Sequence, residues 1–138
     1  MNILRTAFVF LILATVSALA QDPSLTVNVT IPVGTAVSSP VTLRAGCIPG
    51  AIIIPSGWTA ANLTFRVSND NGTTWGNLRD EFKTEIVVSV QDASDVIRLN
   101  PADWYWMRNR SLIIRSGTST SPVNQTGTDK VLKVLCGR

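Results

Sequence analysis

Leu25-Thr26-Val27-Asn28-Val29-Thr30-Ile31 alternates apolar and polar residues without a break. Neighbouring side chains of an extended chain point to opposite faces. The spacing therefore predicts a strand with one face on a core and the other in water. Pro32, Gly34 and Ser38-Ser39-Pro40 end this run. Val41-Thr42-Leu43 opens a second, and Cys47 to Ile54 gives a third in which Ile52-Ile53-Ile54 is apolar on both faces, as in the centre of a sheet. Asn62 to Ser68 alternates again, and Glu85–Val90, Val96–Leu99, Leu112–Ile114 and Val131–Leu135 are further β-rich runs. Asn100-Pro101-Ala102-Asp103 predicts a single helical turn with proline at its first position. Ser116 to Thr128, rich in Ser, Thr, Gly, Asn and Pro, predicts a loop. No long stretch repeats apolar residues at helical spacing. Roughly seven or eight short strands separated by turns predict an all-β domain, a single antiparallel β-sandwich with jelly-roll connections expected.

Ahead of this domain, Met1 to Arg5 is a short basic segment, Ala7 to Val16 an apolar run interrupted only by Thr15, and Ala18-Leu19-Ala20 an A-x-A cleavage pattern. That order predicts an export signal over residues 1–20, cleaved after Ala20, and a working domain over residues 21–138. The apolar run falls short of the ~20 residues that a membrane-spanning helix requires. No membrane association is expected once the signal is gone, and the destination is exported: periplasmic, extracellular or on a virion surface.

The chain carries a net charge of +3 and contains no histidine. Its arginines and lysines are scattered apart from Arg108 and Arg110, unlike the concentrated basic footprint of a nucleic-acid reader. Without histidine there is no Ser-His-Asp triad, no His zinc ligand and no imidazole base. No cofactor and no metal site are expected. The Asp70-Asn71-Gly72 turn offers oxygens to calcium but lacks the spaced acids and closing Glu of an EF-hand. Asp80 and Glu81 would point apart on a strand, and Glu85 and Asp103 have no evident partner, so no glycosidase pair is predicted. The expectation is a protein that is not an enzyme. The two cysteines, Cys47 and Cys136, are an even pair in an exported chain and are expected to bridge.

Two aromatic motifs stand out. Ser68-Asn-Asp70-Asn-Gly72-Thr-Thr-Trp75 fits S-x-D-x-G-x-x-W and resembles the Asp-box of sialidase propellers. Asp70 can accept backbone N–H bonds across the turn, Gly72 can take positive φ, and Trp75 can fold back, so the four residues predict a structural turn. Trp104-Tyr105-Trp106, followed by Arg108, is the candidate ligand platform. If extended, Trp104 and Trp106 share one face and Tyr105 takes the other. Five N-x-S/T triplets, at Asn28, Asn62, Asn71, Asn109 and Asn124, are read as chance in a chain rich in Asn, Ser and Thr.

Gly57-Trp58-Thr-Ala-Ala-Asn62-Leu63-Thr-Phe65, the Ser68–Trp75 hairpin, Leu99-Asn-Pro101-Ala-Asp103 and Arg115 to Gln125 occur in order. With these segments the domain resembles small β-sandwich proteins of tailed-phage and prophage genomes, some of them virion-associated, whose shape is similar to discoidin-type galactose-binding folds. The resemblance implies a contact role, as a structural or decoration-type module or as a surface-recognition module. The export signal and the cysteine pair depart from that pattern and suggest a host-encoded relative or one acting at the envelope. The expected partners are a protein assembly, including copies of the chain itself, or a surface glycan, with no nucleic acid. Carbohydrate binding through Trp104, Tyr105, Trp106 and Arg108 is the alternative role.

Overall fold

The structure, a computed structural model, describes residues 25–137; the expected export signal over residues 1–20 lies outside the described residues. In chain order the elements are β1 (Thr26–Ile31), β2 (Val41–Thr42), β3 (Ile48–Ile53), β4 (Leu63–Ser68), β5 (Gly76–Asn77), β6 (Val96–Arg98), α1 (Pro101–Trp104), a 3-10 turn (Tyr105–Met107), β7 (Ser111–Ser116) and β8 (Lys130–Gly137). Strands run in the order β1-β8-β3-β6 in one sheet and β2-β7-β4-β5 in the other, and every pairing between them is antiparallel. The fold is an all-β sandwich. Among the described residues no helix is long and apolar enough to cross a membrane.

Alternation decides which rows close on each other. Val29 lies opposite Leu132 across β1 and β8, and both are buried with Ile31, Ile52 and Val134. From the second sheet, Leu63, Phe65, Leu112 and Ile114 join them in a single core cluster. Burying each such side chain contributes roughly 1.5–3 kcal/mol relative to exposure. β7 is buried along its whole length, because the row opposite Leu112 and Ile114 is covered too.

One expected strand takes another form. Glu85–Val90 makes isolated bridges instead of a regular strand. After β5, Leu78 N–H still bonds Phe65 O at 2.8 Å, but the chain then leaves the sheet. It rejoins at Val88, which exchanges both backbone bonds with Leu63 at 2.9 Å. Residues 79–87 are thus an excursion from an edge strand.

The Ser68–Trp75 turn joins β4 to β5. Ser68 Oγ accepts the Gly72 N–H at 2.8 Å and donates to Asp70 Oδ1, while Trp75 Nε1 donates to Gly72 O at 3.0 Å. Gly72 has φ +88°, a backbone conformation that side chains rarely adopt, so the turn favours glycine there. Asp70 also accepts the Thr74 hydroxyl at 2.6 Å and the Thr74 N–H at 2.9 Å. The Ser68 hydroxyl first, then both Thr74 donors, hold the Asp70 carboxyl at about 2, against an ordinary 3.8.

The disulfide Cys47–Cys136 ties the residue before β3 to β8, with Cα atoms 4.7 Å apart at a sequence separation of 89. A disulfide suits an oxidising compartment.

Two measurements check these anchors. In urea, the Cys47→Ser/Cys136→Ser variant should lose roughly 2–5 kcal/mol of stability; an unchanged midpoint would remove the bridge from the stabilising terms. The Asp70 turn has a depressed folded pKa, so its contribution is full above pH 3.8 and disappears as pH falls toward about 2. Melting curves across that window should fall more steeply for the wild type than for Asp70→Asn; parallel curves would exclude the effect.

Candidate functional site

Two short rigid pieces face each other across an open depression. The first is the tip of the excursion after β5. Asp80 N–H bonds Thr84 O at 2.9 Å and Lys83 N–H bonds Asp80 O at 3.1 Å. Asp80 Oδ1 accepts from Phe82 N–H at 2.9 Å and from Thr84 N–H at 2.8 Å, an Asx arrangement that rigidifies the turn. Arg79 closes it by donating to Lys83 O at 2.6 Å. Phe82 therefore projects from a fully bonded turn, yet 79% of it is exposed.

Behind the tip, a charged anchor fixes the excursion to the sheet. Glu85 Oε1 pairs with Arg115 Nη1 at 3.1 Å, and both side chains are mostly buried. Arg115 Nη2 donates to Asn77 Oδ1 at 3.1 Å, and Glu85 Oε2 accepts the N–H and hydroxyl of Ser119 at 3.0 and 3.1 Å. One carboxylate thus holds the excursion, β7 and the following loop together.

The second piece is α1 and the 3-10 turn. Asn100 Oδ1 accepts from Ala102 N–H at 3.2 Å, capping a helix that begins at Pro101. Trp104 is buried, its ring edge-on to Phe65 with centroids 4.8 Å apart. Trp106 sits at the surface, 36% exposed, with Nε1 donating to Asp103 O at 2.8 Å. Arg110 bonds Trp106 O at 3.2 Å, and its guanidinium carbon lies 5.8 Å from the indole centroid. That cation–π contact steadies the ring.

Between the pieces is a depression of about 690 Å³. Phe82, Ile86, Trp104 and Trp106 give it apolar walls, and Asp80, Glu81 and Asp103 bring carboxylates to it, beside Ala102. Asp103 has no neighbour of its kind in sequence, and folding places it on the same surface as Asp80 and Glu81.

The aromatic segment is helical, so the face-sharing it would have if extended does not apply. The Asn100 cap and Pro101 start a turn that continues through Trp104 into the 3-10 geometry of residues 105–107. Trp104 consequently belongs to the core as well as to the wall of the depression. Tyr105 and Arg108 are exposed but do not line it. Of the expected platform, Trp106 alone is an exposed ring on this surface. Phe82, Asp80, Glu81 and Ile86 were not legible as site residues. Their one signal is a phenylalanine isolated in the charged run Arg79-Asp80-Glu81-Phe82-Lys83. Ser68, Asp70, Gly72 and Trp75 form the turn described above. Among the described residues no group of three or more His, Cys, Asp or Glu is placed to hold a metal ion.

Removing the Glu85 carboxylate leaves Arg115 buried without its counter-charge. Glu85→Ala should therefore cost about 3 kcal/mol in denaturant unfolding, and Glu85→Gln less, since the amide oxygen can still accept from Ser119. A loss no larger than the ~0.5 kcal/mol of an ordinary surface substitution would show that the excursion is held by something else.

No protein-family model, no curated protein and no solved structure matches the chain.

Proposed function

We propose that this protein is a non-catalytic, exported β-sandwich that acts by contact, a surface-recognition module whose contact face is the depression between the Asp80–Thr84 turn and α1. The strand order β1-β8-β3-β6 over β2-β7-β4-β5 has the interleaving of a jelly roll. The Cys47–Cys136 bridge suits the periplasm, the cell exterior or a virion surface.

The observation that carries this reading is the pair of exposed rings that line one open depression, Phe82 on a turn whose backbone is held by Asp80 and Trp106 held through its own indole N–H. An apolar ring left in water on a floppy loop can fold down onto the protein. These rings sit on bonded turns, so their exposure is built in. Fixed aromatic anchors lose little entropy when a partner covers them, and tryptophan is enriched among residues that dominate interface energy.

The carboxylates favour a sugar as the partner's chemistry. A flat indole can stack on a sugar ring while the oxygens of Glu81 and Asp103 accept its hydroxyls. The volume falls in the range of small-ligand sites. Docking into a larger protein assembly, as a structural or decoration-type module, would use the same two anchors against a protein surface.

A glycan array, a pull-down and size-exclusion chromatography separate these versions. Trp106→Ala and Phe82→Ala should each weaken the retained partner about tenfold or more. Tyr105→Ala, also exposed but outside the depression, should not. If both anchor variants bind like the wild type, the depression is not the contact face. A strict monomer with neither glycan nor protein partner would overturn the contact role itself.

A further inference from the structure

We infer a second binding site, for a single oxyanion group, on the ammonium of Lys130 where the turn at Gly57 meets the turn at Gly127. Lys130 opens β8 opposite Ile31 and lies on the same row as Leu132 and Val134, both wholly buried. Alternation turns it toward the interior, and it is 4% exposed. Lysine is almost never buried unless paired. Yet the Lys130 side chain has no ion pair, hydrogen bond or ring contact among the described residues.

The ammonium is not sealed in. Among the described residues every buried side-chain nitrogen or oxygen has a partner, so Nζ must keep an opening to solvent while its stem packs inside. Two glycines lie beside the ammonium. A Cβ on Gly57 would stand 3.4 Å from Nζ, and one on Gly127 3.8 Å. Both glycines have left-handed backbones, at φ +67° and +84°, a conformation that excludes most side chains.

The site is also preformed. Gln125 is completely buried. It accepts the Thr59 N–H at 2.8 Å and donates to Thr59 O at 3.1 Å and to Ser116 Oγ at 2.7 Å. Thr126 N–H bonds Thr59 Oγ1 at 3.2 Å, and the two threonine hydroxyls are 3.1 Å apart. These bonds lock the two turns together around the lysine. The nearest carboxylate in sequence, Asp129, accepts the Val33 N–H at 2.8 Å and lies outside ion-pair distance of Lys130.

A sheltered positive charge without a counter-ion, at a small opening in rigid backbone, is complementary to one oxyanion: a carboxylate, a sulfate or a phosphate. With a single cation in place, the group recognised is one charge on a larger molecule and not a polyanion. This site shares no residue with the aromatic depression and does not depend on it.

The test is a titration of the whole protein, followed by the amide resonances of Gly57 and Gly127, with sodium acetate, sulfate and phosphate against chloride at matched ionic strength. At least one oxyanion should give saturable shifts that chloride does not, and the comparison among the three identifies the group. Lys130→Met keeps the stem and should weaken that binding about tenfold or more; Trp106→Ala should leave it intact. Oxyanion shifts no larger than those of chloride in the wild type overturn the site, whatever the variants do. Shifts that persist in a folded Lys130→Met protein overturn it as well.

Discussion

The edge-on contact between Phe65 and Trp104 is the interaction on which the candidate surface depends. Phe65 belongs to β4 in one sheet, and Trp104 to α1, which packs against β3 in the other. The ring pairing itself is worth roughly 0.5–1.5 kcal/mol beyond burial, so most of the force is the apolar area removed from water. Its geometric consequence is larger. Once Trp104 is drawn inward, a helical turn carries the residue two places on roughly 200° around the axis. Trp106 is thereby sent to the rim, and its indole N–H closes back on Asp103 O. A core requirement thus fixes where the surface tryptophan stands.

The opposing wall follows from a different constraint. β5 is only two residues long, and its edge continues to Leu78 before the chain departs. An edge strand that leaves the sheet need not be ordered. Here the Glu85–Arg115 pair returns it, and Val88 resumes the ladder on Leu63. Phe82 is presented because both ends of the excursion are fastened, not because its own side chain finds anything to pack on.

These two walls were unequally legible in sequence. The sandwich is written in period-two alternation, as from Leu25 to Ile31, and in the lack of any helical repeat. The cap at Asn100 and Pro101 was legible as well, but not how far its turn would run. Trp104-Tyr105-Trp106 has no polar residue to show its period, so the segment reads equally as strand or helix until Trp104 meets Phe65. The excursion was hidden for another reason. Glu85–Val90 has strand composition, yet its fate is set by a partner thirty residues away, Arg115, to which no local pattern points. Lys130 and Gln125 were hidden similarly. Each polar side chain looks like surface until register assigns one to an inward row and the other to the clamp between two turns.

Electrostatics then separates two regions of the molecule. The chain is basic overall, at +3, but the aromatic depression is lined by Asp80, Glu81 and Asp103 with no lysine or arginine among its lining residues. A partner presenting carboxylates or phosphates to that surface would meet like charge, whereas hydroxyl groups or a cation would not. The turns around Lys130 have the opposite preference. Both surfaces are rigid for the same physical reason: their turns satisfy their own backbone with side-chain carboxylates, amides and hydroxyls instead of leaving it to water. Little ordering entropy is left for a partner to offset. A small sandwich with few residues at each surface can then gain useful affinity from one or two fixed groups, and the local charge decides which chemistry they accept.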